Sequence, residues 1–263
     1  SHPVVLTPAA TVSVLSTIAL KNFTDRNLAT DVLINDYRIV ALTAGLNGVV
    51  QDNGWGGAAT SWSALVTAGR LTIRDPELDA GNRWYNEQGE PMALLQPRFL
   101  KLSLGANRLQ RIPDTDMLLY GYAQLQLANG NLSPAEKIYL GGQTGVRGYP
   151  VGQGGGSQGL VAGLELRRPL RPNLVGNVFA DVGWIQQYRD TYLGWQGRTG
   201  ADNLYRLQSA GIGASWSQKS WTLLGQVAFR IGANPLLTQS GKAADLDNIN
   251  GRVRVWLGLN YRF

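Results

Sequence analysis

Cysteine is absent from this chain, and histidine occurs once, at His2. The first absence excludes disulfides, thiolate metal sites and cysteine nucleophiles, and it suits an oxidising compartment. The second removes the usual ligands of zinc and the usual general base, so no catalytic and no metal-binding residue is expected, and no cofactor. No stretch approaches the 18 or so consecutive apolar residues of a membrane helix. No run of Lys or Arg exists either. The excess of six positive charges is scattered, which argues against nucleic acid as a partner. Ser1-His2 has the look of a cloning scar, and residues 1–9 read as scar or as lead-in to the strands beyond.

What the chain has in quantity is period-2 alternation, the mark of a strand with two unlike faces. The last segment is the clearest. Val253, Val255, Leu257, Leu259, Tyr261 and Phe263 share one face, and Arg254, Trp256, Gly258, Asn260 and Arg262 the other. Leu174, Val178, Ala180, Val182 and Trp184 oppose Asn177, Phe179, Asp181 and Gly183. Val12, Val14, Ile18 and Leu20 oppose Ser13, Thr17 and Lys21, and Leu100, Leu102 and Leu104 oppose Lys101 and Ser103. Continued along the chain, the pattern gives about ten strands from residue 10 to 263, each longer than the 5–6 residues of an ordinary sheet.

Connections alternate in length. Those near 51–57, 111–116, 169–173 and 217–219 are short, and those near 72–96, 130–157, 186–203 and 233–249 are long. In an antiparallel meander alternate connections fall at opposite ends. Tight turns at one end and long loops at the other mark an up-and-down transmembrane β-barrel, whose strands evade hydropathy searches because they average to neutral. A soluble sandwich is the competing fold. In a barrel the aromatics near strand ends (Tyr37, Trp62, Trp184, Trp216, Trp221, Tyr261, Phe263) would form interface girdles. The polar face would line the lumen with Arg38, Lys101, Tyr120, Gln124, Glu165, Arg167, Asp181, Gln226, Arg230, Arg254 and Arg262.

Three motifs fall on this frame. Val146-Arg147-Gly148-Tyr149 lies in the longest glycine-rich connection. Phe179, Asp181 and Gly183 form an F-x-D-x-G pattern on the second strand after it. The chain ends Tyr261-Arg262-Phe263. In this order they resemble the haemolysin secretion/activation proteins, the two-partner secretion transporters of the Omp85 superfamily. The resemblance covers residues 95–263 well and 10–95 only through barrel pattern. It implies a barrel of about sixteen strands in the bacterial outer membrane, preceded by periplasmic POTRA modules that are not seen here. It implies an unfolded exoprotein as cargo, and a terminal Tyr261/Phe263 signal read by barrel-assembly machinery. It also implies that loop 130–157 folds into the lumen, where Arg147 meets Asp181. Strand parity independently points Asp181 inward, and the loop is long enough to reach it at about 3.3 Å per residue.

The uncharged stretch 151–159 departs from relatives that often carry acids there. A barrel-assembly factor of the same superfamily and a small passive porin are the rival functions. A ten-strand closed barrel would be nearly filled by its own side chains. Two further patterns carry little. Gly155–Gly159 matches G-x-S-x-G without the helix and histidine that a nucleophile elbow needs. Asp75, Glu77 and Asp79, with Asp245 and Asp247, lack calcium-loop spacing and read as solvated loop acids.

Overall fold

The computed structural model describes residues 2–196, 202–235, 245–247, 249 and 251–262. Eleven strands form one antiparallel sheet in which every neighbour along the chain is a neighbour in space. They are β1 (His2–Leu6), β2 (Ala10–Arg26), β3 (Leu33–Asp52), β4 (Ala58–Ile73), β7 (Arg98–Arg111), β8 (Leu118–Ala128), β11 (Gln158–Arg171), β12 (Leu174–Gln186), β13 (Leu204–Gln218), β14 (Trp221–Ile231) and β15 (Val253–Tyr261). Small hairpins lie in the long loops: β5 (Arg83–Tyr85) with β6 (Pro91–Ala93), and β9 (Ile138–Tyr139) with β10 (Gly155–Gly156). The first residues are thus not idle, since β1 pairs with β2 at the edge of the sheet. The sheet is a curved trough. Its end strands, β1 and β15, are not paired with each other.

Alternation sets the two faces as expected on the ten long strands. Outward residues are apolar and bare: Ile18 and Leu257 are each 78% exposed, and Leu164, Val178 and Ile212 more than half exposed. A soluble sandwich would bury such side chains, whereas a lipid-facing wall presents them. Inward residues are buried and largely polar, among them Glu165, Asn177, Asp181, Ser209 and Gln226.

Two inward and outward assignments are corrected near the long-loop end of β3. Tyr37 points into the lumen and is buried with Ile39, Ala41, Leu71, Phe99 and Leu132, so it is no girdle residue. Arg38 faces outward beside Val40 and donates to the Asn22 side chain. At this height the outer face has left the hydrocarbon, so polarity no longer marks the inside. Arg262 also lies exposed beyond the end of β15, not in the lumen.

Glycine across the strand from an aromatic residue recurs on the inner face. Phe99 lies over Gly69, Tyr122 over Gly163 and Phe179 over Gly211, each pair in register. A Cβ at any of the three glycines would come within 2.4 Å of the ring. The missing side chain lets each ring lie flat on the wall, and two of these rings carry the site.

Candidate functional site

The chain between β8 and β11 turns into the trough. Its tip is tightened by Gly145 N donating to Gly142 O at 3.1 Å, Val146 N to Leu140 O at 2.7 Å and Tyr149 N to Val146 O at 3.1 Å. Gly145 is required there, since a Cβ would sit 2.1 Å from Leu140 O.

Each residue of the tetrad has its own seat. Val146 is fully buried with Leu140, Tyr149, Val161, Ile185 and Leu207, an apolar cluster inside the lumen. Gly183, opposite, leaves the space that Leu140 and Val146 fill. Arg147 makes the polar centre. Its Nε donates to Asp181 Oδ2 at 3.0 Å and one terminal nitrogen to Oδ1 at 2.8 Å, a two-pronged pair. Its other terminal nitrogen reaches Glu165 Oε2 at 2.7 Å, and its backbone N–H also meets Asp181 Oδ2, at 3.1 Å. The guanidinium carbon lies 3.4 Å from the centre of the Phe179 ring. Gly148 presses on the wall, where a Cβ would stand 2.8 Å from Ser209 Cβ and 3.2 Å from Arg230 Cα. Tyr149 carries the Arg230 guanidinium on its ring at 4.3 Å.

Three further strands, and a second residue of β11, hold this centre. Ser209 on β13 donates to Asp181 Oδ2 at 2.9 Å. Tyr122 on β8 donates to Gly145 O at 2.8 Å and approaches Asp181 Oδ1 at 3.3 Å. Arg167 on β11 donates to the free oxygen of Glu165 at 2.8 Å and stacks on Tyr120. Trp256 on β15 donates to the Arg147 carbonyl at 2.8 Å. The side chains of Arg147 and Asp181 are 5% and 0% exposed, and here screening by water is slight.

The residues singled out in sequence thus fall into groups. Val146, Arg147, Gly148, Tyr149, Phe179, Asp181 and Gly183 converge on the tip, with Glu165 and Arg167 as a second layer. Arg230 and Arg254 belong to a neighbouring cluster, where both pair with Asp245 and Arg254 also reaches Asp247 at 2.6 Å. Asp245 is therefore no solvated loop acid: its side chain is fully buried, because two inward arginines and Asn234 turn it into the lumen. The same segment touches the tip loop, with Leu246 N donating to Gln153 at 2.9 Å. Tyr261 lies apart from the tip, at the short-turn end, half-exposed and 4.6 Å from Trp221 between ring centres. Phe263 lies outside the described residues.

A second anchor escaped the alternation pattern. Glu136, at the base of the loop, is held between Lys21 of β2 at 2.7 Å and Lys101 of β7 at 2.9 Å. Burial alone would raise its pKa, but the two ammonium groups outweigh it and hold the carboxyl below the ordinary value. Parity places both lysines inward, which is the available signal, but it does not name a partner on a loop. Below the tip, toward the short turns, an open cavity of about 1330 Å³ remains.

This architecture has relatives. The model of the haemolysin secretion/activation proteins ShlB/FhaC/HecB matches residues 50–215, more than half of the chain. The heme/hemopexin transporter protein HuxB of Haemophilus influenzae is 26% identical over 223 residues, covering 82% of this chain and 36% of its own length. The chain thus spans about a third of the curated relatives it matches. Among solved structures, CdiB from Escherichia coli superposes with a TM-score of 0.71 at 17% identity, over 100% of this chain and 44% of that one. CdiB from Acinetobacter baumannii gives 0.64 at 15% identity, over 98% and 40%. Those two similarities establish the fold, and the family match places the chain in the outer membrane of Gram-negative bacteria. The chain belongs to the haemolysin secretion/activation protein family, the two-partner secretion transporters of the Omp85 superfamily.

Proposed function

We propose that this chain is the lock-bearing part of a channel that passes an unfolded partner exoprotein across the outer membrane. One observation carries the reading: a loop tip sits inside the lumen, tied there by a buried arginine to two carboxylates on adjacent strands. Such an arrangement blocks a path while it holds and opens one when it lets go. The pair is built for this, because its strength depends on all partners being present together. The relatives are transporters, and on this reading the protein breaks no covalent bond. Its work is to present a polar passage, and the terminal Tyr261-Arg262-Phe263 serves barrel-assembly machinery during insertion.

The experiment ties the tip down. The chain has no cysteine, so thiols introduced in the longer protein at Gln143 and Gly258 are its only ones if the rest of that protein lacks them or is cleared of them. Gln143 Nε2 lies 3.9 Å from where a Gly258 Cβ would be, within reach of a short cleavable crosslinker. Export of the partner exoprotein stops with the crosslink in place and resumes when it is cleaved. Undiminished export with the tip tied in the lumen refutes the reading.

A further inference from the structure

Strand register places Asn177 on β12, Gly213 on β13 and Gln226 on β14 side by side in one row. The row above it is Phe179, Gly211 and Ala228, and Phe179 carries the Arg147 guanidinium. Asn177 and Gln226 are therefore the first wall residues below the tip, and both line the open cavity. Gly213 lies between them, and a Cβ there would meet Asn177 Oδ1 at 2.6 Å and Gln226 Cγ at 2.8 Å, so the two side chains lean toward each other over it.

Both residues are more than nine-tenths buried, at 9% and 6% exposure. Yet Asn177 Nδ2 and Gln226 Oε1 have no hydrogen-bond partner among the described residues. One of the two side chains thus leaves a donor unfilled and the other an acceptor, in the same row with one strand between them. Leaving such groups unpaired costs free energy, which a ligand with the complementary pair recovers. A peptide group has that pair, one C=O and one N–H. The surrounding wall suits the same occupant. Ser13, Asn47, Ser63, Asn107 and Ser215 line the cavity with uncharged hydroxyls and amides. The charges at its roof, on Arg147, Glu165 and Arg167, are engaged with one another.

We propose that Asn177 and Gln226 form a docking shelf for one peptide group of an extended, uncharged stretch of polypeptide, directly beneath the Arg147 tip. The proposal rests on the export reading above and names where the cargo chain first touches the lock. Gln226 is in register with Trp256, which holds the Arg147 carbonyl, so occupant and lock share a pair of strands.

The test uses the longer protein in detergent, cleared of any other thiols, and a twelve-residue glycine–serine repeat peptide, N-acetylated and C-amidated. Ser215→Cys, labelled with an environment-sensitive dye, reports from the same cavity. The signal changes saturably with peptide. Asn177→Ala and Gln226→Ala each weaken binding about tenfold, the scale of one lost hydrogen bond. A second measurement leaves both amides intact. A photo-crosslinker at residue 215 captures the peptide, whereas one at Thr43, which bonds Thr67 elsewhere on the inner wall, does not. Absence of saturable binding, equal capture at both positions, or unchanged affinity in both alanine variants overturns the proposal. The last result would mean that water fills the two sites. The tied-tip export assay does not depend on the shelf. If tying the tip still blocks export while the shelf binds nothing, only the shelf is refuted; if the shelf binds and a tied tip exports, the channel reading falls.

Discussion

Asp181→Ala is the sharpest perturbation of the lock. The Asp181 carboxylate receives four hydrogen bonds from Arg147 N, Arg147 Nε, a terminal Arg147 nitrogen and Ser209 Oγ, with Tyr122 at 3.3 Å as a fifth. Removing it leaves a guanidinium that is 5% exposed with one carboxylate partner, Glu165, which it already shares with Arg167. Breaking a buried ion pair on one side costs about 3–5 kcal/mol. Retention of Glu165 puts this case toward the lower end, about 3 kcal/mol, which is roughly a hundredfold or more in the balance between tip in and tip out. Trypsin reads that balance, because Arg147 is a cleavage site that is 4% exposed when seated. If the tip opens and closes faster than trypsin cuts, the cleavage rate after Arg147 follows the open population. It should rise about a hundredfold in Asp181→Ala, with an intermediate rise in Asp181→Asn, which keeps the shape and loses the charge. Equal rates for the variant and the parent chain would refute the argument that this carboxylate holds the tip.

Three other outcomes are expected from the same geometry. Gly148→Ala forces a methyl against Ser209 Cβ and the Arg230 backbone, so it lifts the tip by about 1–3 kcal/mol of overpacking and exposes Arg147 to trypsin without touching any charge. Glu136 has a folded pKa below its ordinary 4.5, so its contribution is fully present above that value and is lost as pH falls through the lower, folded one. Amide exchange in residues 132–137 is therefore flat from neutral pH to about 4.5 after correction for intrinsic rates and rises below it, and Glu136→Gln removes the acid-side step. Asp245→Ala leaves Arg230 and Arg254 buried without their shared acid, so amide protection is lost at Leu246, whose N–H donates to Gln153, while the Arg147–Asp181 pair keeps the tip in place.

The sequence is most legible where one rule governs many residues. Strand parity holds on the ten long strands because lipid on one side and water on the other reward every second residue in the same way. At Tyr37 and Arg38 the alternation itself still holds, but polarity stops marking the inside, at a height where both faces are wet or packed under a loop. The Arg147–Asp181 contact is readable because a motif names both partners and parity aims one of them. Lys21, Lys101 and Glu136 are individually visible but cannot be joined, since nothing local ties a loop carboxylate to lysines on strands 115 and 35 residues away. Asp245 is misread for the same reason. Its burial is decided by arginines on two strands and not by its own neighbours in the chain.

The flat aromatic rings have a consequence for bore. Phe179 and Tyr122 lie on glycines, and Gly183 presents no side chain at all, so the wall behind the tip is only about as thick as a backbone and one ring. Few side chains there can swing out to fill the vacancy when the tip withdraws. Behind Arg147 the aperture gained is then set by the positions of three glycines, while Arg230, Trp256 and the cluster of Val161, Ile185 and Leu207 bound the rest.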